Sequence, residues 1–251
     1  MDNAQGKSKF KFGLVGRNIS YSFSRGYFSD KFKNEGLPYS YVNFDLESIE
    51  ELNSIIKNTA NIKGLNVTIP YKEEVIPLLD KLNKRAKKIG AVNTIKVKKG
   101  KLIGFNTDYY GFKNSLKPHL KKHHKRALIL GTGGASKAIA YALNKLNIEY
   151  RYVSRTKKKV ITYTYSELTE EIISSFQVII NCTPIGTFPH VNDCPNIPYE
   201  ALTDQHILYD LIYNPEETKF LNSGKLKGAT TINGLEMLKL QAEKSWEIWN
   251  D

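Results

Sequence analysis

The 251-residue chain reads as an α/β protein with largely parallel sheets. Three observations predict this. Short β-rich runs alternate with amphipathic helical stretches, and a parallel neighbour needs such a helical crossover. The apolar run Ala127–Leu130 leads straight into a glycine-rich turn. Hydrophobic residues make up 41% and charged residues 25%, enough for a sizeable core and too apolar for wholesale disorder.

The elements follow in order. Phe10–Val15 is a strand and Ser24–Glu35 a helix stopped by Gly36. Tyr39–Phe44 is a strand. Ser48 then opens a helix through a capping box with Glu51. Ile62–Thr68 is strand-like, and Thr94–Val97 and Leu102–Phe105 flank the hairpin signal Lys98-Lys99-Gly100-Lys101. A helix starting near Thr107 or Asp108, with Asp108 a plausible N-cap and Ser24 another, is ended by Pro118. The domain change is placed between Asp108 and Arg126. Beyond it come a strand at Ala127–Leu130, a helix at Gly134–Leu146, a strand at Tyr150–Ser154 and a helix at Ser166–Ser174. Strands at Val178–Asn181 and Ile207–Leu211 and a helix at Leu235–Trp249 complete the chain.

Composition excludes several classes. No apolar run approaches the ~18 residues that span a bilayer. Met1–Lys9 is polar and lacks the apolar segment of a secretory signal, and Cys182 and Cys194 fit a reducing compartment, so a cytoplasmic location is expected. Lys and Arg number 37 against 25 Asp and Glu, a net charge of +12 that suits anionic ligands. The runs Lys84–Lys88, Lys96–Lys101 and Lys121–Arg126 read as solvated basic surface. No helix-turn-helix, zinc finger or RNA-recognition signature is present, so nucleic acid is not an expected partner. His119, His123 and His124 have lysine neighbours and no carboxylate, which reads as a solvated helix end rather than a metal site. Cys182 reads as a packed small residue.

Gly131-Thr132-Gly133-Gly134-Ala135-Ser136 closes a strand and opens a helix. Its glycines let backbone N–H groups approach a pyrophosphate, which also meets the positive helix end. The next strand ends in Ser154-Arg155-Thr156-Lys157-Lys158-Lys159. An NAD site usually places a carboxylate there for the ribose 2′-OH. Cations and hydroxyls suit a 2′-phosphate instead, so NADP(H) is the expected cofactor.

In the first half, polar clusters fall at strand ends. They are Ser20 to Ser24, Asn66 to Lys72, Asn93-Thr94 and Asn106-Thr107-Asp108. Each alone is explained as a cap or turn. Together they make a polar set with one Lys and one Asp, fit for a hydroxylated, anionic small molecule.

These clusters, with Asn181 to Gly186 and Asn233 to Leu238 plus Gln241, resemble the shikimate dehydrogenase family in family order from about Phe12 to Trp249. The resemblance implies an N-terminal α/β substrate domain (1–108 with 235–251), a Rossmann-type NADP-binding domain (109–234) and a cleft between them. It implies NADPH-dependent reduction of 3-dehydroshikimate to shikimate, and the reverse. It makes Lys72 and Asp108 the catalytic pair. Ser22, Ser24 and Tyr213 would bond the substrate carboxylate, and Thr68, Asn93, Asp108 and Gln241 the ring hydroxyls. Gly131, Gly133, Gly134 and Ala135 would cradle the pyrophosphate. Ser154, Arg155, Thr156 and Lys159 would meet the 2′-phosphate, and Thr183, Leu211 and Gly234 the nicotinamide. The chain departs from the family pattern at Arg25, usually Pro, Ser154, usually Asn, and Thr187, usually Met; Glu236 stands where a smaller residue is common. Alternatives are a quinate/shikimate or aminoshikimate dehydrogenase, or a non-catalytic NADP-binding regulator. A monomer or homodimer with small-molecule partners is expected.

Overall fold

A computed structural model describes residues 9–20, 22–157 and 162–251. The contacts group into two compact units, 1–107 with 242–251, and 108–241.

The first unit contains β1 (Phe10–Gly16), α1 (Phe23–Asn34), β2 (Tyr39–Asp45), α2 (Leu52–Asn58), β3 (Ile62–Val67), β4 (Lys81–Leu82), α3 (Lys84–Ile89), β5 (Thr94–Lys98) and β6 (Lys101–Phe105). Its sheet has the order β2-β1-β3-β5-β6-β4. β1 is parallel to β2 and β3, whereas β5 runs against both β3 and β6. The β5–β6 turn places Lys99 at φ 52° and Gly100 at φ 74°. Two successive left-handed residues match the twist of a two-residue hairpin. One cluster gathers Val15, Leu52, Leu65, Val67, Tyr71 and Ile95. Another gathers Phe12, Phe28, Phe32, Tyr41 and Trp249. Gly64 has no room for a Cβ because the Trp249 indole lies on it, and Trp249 Nε1 donates to Ile95 O (2.9 Å).

The second unit contains α4 (Asp108–Leu116), β7 (Arg126–Leu130), α5 (Gly134–Lys145), β8 (Glu149–Ser154), β9 (Thr162–Thr164), α6 (Glu170–Ser175), β10 (Val178–Asn181), β11 (Ile207–Asp210), α7 (Lys219–Leu226) and β12 (Thr230–Ile232). The last helix, α8 (Leu235–Asn250), is divided between the units after Gln241. The sheet order is β9-β8-β7-β10-β11-β12, every pair parallel. Counted from β7, that is 3-2-1-4-5-6, the dinucleotide-binding order. Its central strands alternate between two cores. Ala127, Ile129, Val178, Ile180, Ile207 and Tyr209 face one. Leu128, Leu130, Ile179 and Leu208 face the other. Strands buried on both faces explain the near-continuous apolar runs.

The structure departs from the sequence expectations at several points. The helix expected at 166–174 is a one-turn helix, Tyr165–Glu167, followed by α6. The break follows from two competing caps: Thr164 and Glu167 form a capping box, and Thr169 Oγ1 accepts from Ile172 N (3.4 Å). Asp108 is the first helical residue of α4, not its cap, and Ser22 rather than Ser24 caps α1. The run Lys84–Lys88 is the outer face of α3, which buries Ala86 and Ile89. Lys96 is buried within β5. His124 is buried too, not solvated. Its Nδ1 accepts from Lys121 N (2.8 Å) and its Nε2 lies 3.2 Å from Gln205 O. β4, α3, β9, α7 and β12 were not anticipated, being too short for a periodic signal.

Candidate active site

In the first unit, strand direction gathers the polar clusters. β1 and β3 run parallel with Val15 opposite Val67, so Ser22 and Thr68 follow them at one edge. β5 runs the other way, which brings its start, Thr94, opposite Phe105 at the end of β6. Asn93 and Asn106-Thr107 thus reach the same edge. Lys72 closes a turn held from both sides. Thr68 N donates to Val15 O (2.9 Å), Tyr71 N donates to Thr68 O (2.9 Å), and Lys72 O accepts from Val92 N (2.7 Å). The buried Tyr71 anchors that turn by donating its hydroxyl to Leu46 O (2.7 Å). A backbone fixed at this many points limits where the ammonium can go.

The amides and hydroxyls are ordered by one another. Asn93 is 3% exposed. Its Oδ1 accepts from Thr107 N (2.6 Å) and its Nδ2 donates to Thr107 Oγ1 (2.9 Å). Ser245 Oγ lies 2.8 Å from Thr94 Oγ1 and 3.1 Å from Thr107 Oγ1, and accepts from Asn66 Nδ2 (3.1 Å). Tyr41 donates to Asn66 Oδ1 (2.8 Å) and is hydrogen-bonded to Ser24. Burial pushes the Tyr41 phenol up and keeps it neutral. Such a satisfied network rigidifies its members. Ser22 Oγ accepts from Arg25 N (3.1 Å), leaving its own O–H to donate outward. A proline at 25 has no N–H and would not make this bond.

Asp108, Tyr213 and Gln241 lie in the second unit. Asp108 and Gln241 sit on α4 and α8, which pack backbone to backbone at Gly111, where a Cβ would collide with Met237 O. Gln241 Nε2 donates to Leu238 O (2.9 Å).

The glycine loop lies where the strand order reverses, between β7 and β10. Gly131 takes φ 103°, and a Cβ there would stand 3.0 Å from Thr183 Cγ2. Gly133 is the N-cap of α5 and has no side chain to cap it, and Gly134 and Ala135 form the first turn. A helix start reached through a glycine turn, with nothing within 4 Å of a would-be Cβ on Gly133, fits a dinucleotide pyrophosphate. Thr183, Leu211 and Gly234 follow β10, β11 and β12 at the same edge. Gly234 N donates to Ile212 O (3.0 Å), and a Cβ on Gly234 would strike Leu211 O. At the end of β8, Ser154 Oγ donates to Thr156 O, and Arg155 and Thr156 are exposed. Lys159 lies outside the described residues.

Residues 14–95 match the family described as the shikimate dehydrogenase substrate binding domain. A shikimate dehydrogenase (NADP(+)) of Methanosphaera stadtmanae is 39% identical over 255 residues, 94% of this chain and 90% of that protein. The chain belongs to the shikimate dehydrogenase family. A shikimate dehydrogenase crystallised with NADP+ superposes with a TM-score of 0.87 at 36% identity, covering 99% of this chain and 91% of that one. The Thermus thermophilus enzyme, solved with NADP(H) and shikimate, gives 0.85 at 30% identity, covering 96% and 93%.

Several residues of this family member carry structure that sequence reasoning missed. Asp210 is fully buried. Its Oδ1 accepts from Asn181 Nδ2 (3.1 Å) and Ile212 N (3.0 Å), and its Oδ2 accepts from Thr218 Oγ1 (2.7 Å). Asn181 Oδ1 in turn accepts from Thr183 Oγ1 (2.6 Å). The loops holding Thr183 and Leu211 thus hang on one carboxylate, which burial pushes up to about 6. Ser245 and Asn66 were missed as network hubs, because one hub is distant in sequence from all its partners. Among the described residues no group of three or more His, Cys, Asp or Glu is placed to hold a metal. No described helix is long and apolar enough to cross a membrane.

Proposed function

We propose that the chain is an NADP-dependent shikimate dehydrogenase, reducing 3-dehydroshikimate to shikimate and running the reverse reaction. The observation that supports this best is that 94% of the chain aligns at 39% identity with an NADP(+)-dependent shikimate dehydrogenase; the chain itself carries Lys72 and the Gly131–Ala135 loop. NADPH, when bound, would supply the hydride that reduces the keto carbon. As the carbonyl oxygen gains charge, the Lys72 ammonium stabilises it and gives it a proton, so that hydride plus proton balance the reduction. Asp108, the second member of the proposed catalytic pair, bonds a ring hydroxyl. Ser22, Ser24 and Tyr213 hold the carboxylate, and Thr68, Asn93 and Gln241 hold hydroxyls. Gly131, Gly133, Gly134 and Ala135 take the pyrophosphate, and Ser154, Arg155, Thr156 and Lys159 the 2′-phosphate. Thr183, Leu211 and Gly234 line the nicotinamide. The same reading makes the enzyme cytoplasmic, a monomer or homodimer, and without a nucleic-acid partner.

The test follows the reduced-nicotinamide absorbance with shikimate or quinate and NADP+ or NAD+ in all four pairings. Fastest turnover with shikimate and NADP+ is expected. Folded protein inactive in every pairing would refute the proposal.

A further inference from the structure

The fold places a carboxylate at the adenosine end of the cofactor site from an unexpected direction. β8 and β9 are parallel neighbours with Ser154 opposite Thr164, so the segments leaving them start at one edge. After β8 come Arg155, Thr156 and the exposed Lys157. After β9 comes the one-turn helix Tyr165–Glu167. Glu167 is held on two sides. Its Oε2 accepts from Thr164 N (2.7 Å) within the capping box, and its Oε1 takes the Lys157 ammonium. The Lys157 hydrogen bond, with that from Thr164, holds the Glu167 carboxyl down at about 2, so it is charged at neutral pH.

We propose that Glu167 is a specificity-determining residue: it ties Lys157 into an ion pair with which a cofactor 2′-phosphate must compete, and so limits the preference for NADP+ over NAD+. This deepens the proposed function and rests on its assignment of the loop after β8 to the adenosine ribose. An NAD site uses an acid at this strand end to accept from the 2′-OH. Here the acid comes from the one-turn helix that follows the neighbouring strand, and its charge is directed at Lys157. A 2′-phosphate gains from Lys157 but is repelled by Glu167. Removing the carboxylate charge releases the lysine and ends the repulsion. Both effects favour NADP+, and neither acts on the 2′-OH of NAD+.

The test is Glu167→Gln, because glutamine keeps the capping-box acceptor. Dissociation constants are measured by calorimetry for NADP+ and NAD+, and for 2′,5′-ADP and 5′-ADP as fragments free of the nicotinamide. An exposed ion pair is a weak one, so NADP+ and 2′,5′-ADP are expected to bind about two- to fivefold tighter. The NAD+ and 5′-ADP constants should move less. Lys157→Gln should weaken only the phosphorylated ligands, and in that background Glu167→Gln should give a smaller gain, because only the repulsion is then relieved. A loss of function by misfolding cannot produce tighter binding. If the wild type prefers 2′,5′-ADP but Glu167→Gln binds it no tighter, the inference is overturned while the cofactor assignment stands. If the wild type does not distinguish 2′,5′-ADP from 5′-ADP, the cofactor assignment fails and the inference with it.

Discussion

The backbone fixes the turn that carries Lys72. The turn before it is tied to β1 through Thr68 N, and its own carbonyl is tied to Val92 N. Removing the side chain should therefore leave the turn in place. For Lys72→Ala, turnover should fall by about 10²- to 10⁴-fold, the usual range for losing a general acid. NADP+ affinity, read by fluorescence titration, should persist; near-normal turnover would remove Lys72 from the proposed role. Gly131 makes the opposite case, since its function lies in having no side chain. At φ 103°, with Thr183 Cγ2 3.0 Å from a would-be Cβ, Gly131→Ala meets both backbone strain and a close contact. The expected cost is about 1–3 kcal/mol of stability, with weaker NADP+ binding. An unchanged denaturation midpoint and unchanged affinity would show that the turn tolerates a side chain.

Elements differ in how much of them local sequence explains. The strand Val178–Asn181 and the β5–β6 hairpin were legible because apolar runs and a Lys-Gly turn are local signals. The stretch 166–174 was not, because two caps within a few residues break what periodicity alone joins. The last helix shows what an element contributes beyond its own hydrogen bonds. Residues 242–250 bring Ser245 into the polar network of the first unit and Trp249 onto Gly64. Trp249→Ala leaves a cavity among Phe12, Phe28 and Gly64 and deprives Ile95 O of its donor. A loss of about 3–5 kcal/mol is expected by denaturant unfolding. A loss below about 1 kcal/mol would mean the helix end is not part of this core.

For the whole molecule, two buried groups pull acid stability in opposite directions. Burial raises Asp210 from 3.8 to about 6, so between those values the folded state binds a proton that the unfolded chain lacks. That contribution is complete below the unfolded value and is lost as pH rises through the folded one. Burial lowers His124 below its usual 6.5, so its contribution is present above that value and is lost as pH falls. Asp210→Asn should lower Tm most at acid pH, where the wild-type carboxyl is protonated. It should also steepen the decline of stability between about pH 6 and 4, by roughly 2–3 kcal/mol over that interval. An unaltered slope in thermal melts across that range would rule out Asp210 as the titrating group. The sequence by itself determined the α/β alternation, the glycine loop after Leu130 and the polar clusters at strand ends. Those are set by nearest-neighbour sterics, capping and hydrophobic period, which act over a few residues. Only the tertiary structure decided the 3-2-1-4-5-6 order of the second sheet and the reversed direction of β5. It also decided the suspension of two loops from Asp210 and the approach of Glu167 to Lys157. Each of these depends on which strands become neighbours, and neighbour choice follows from burying whole faces, which no short stretch of residues encodes.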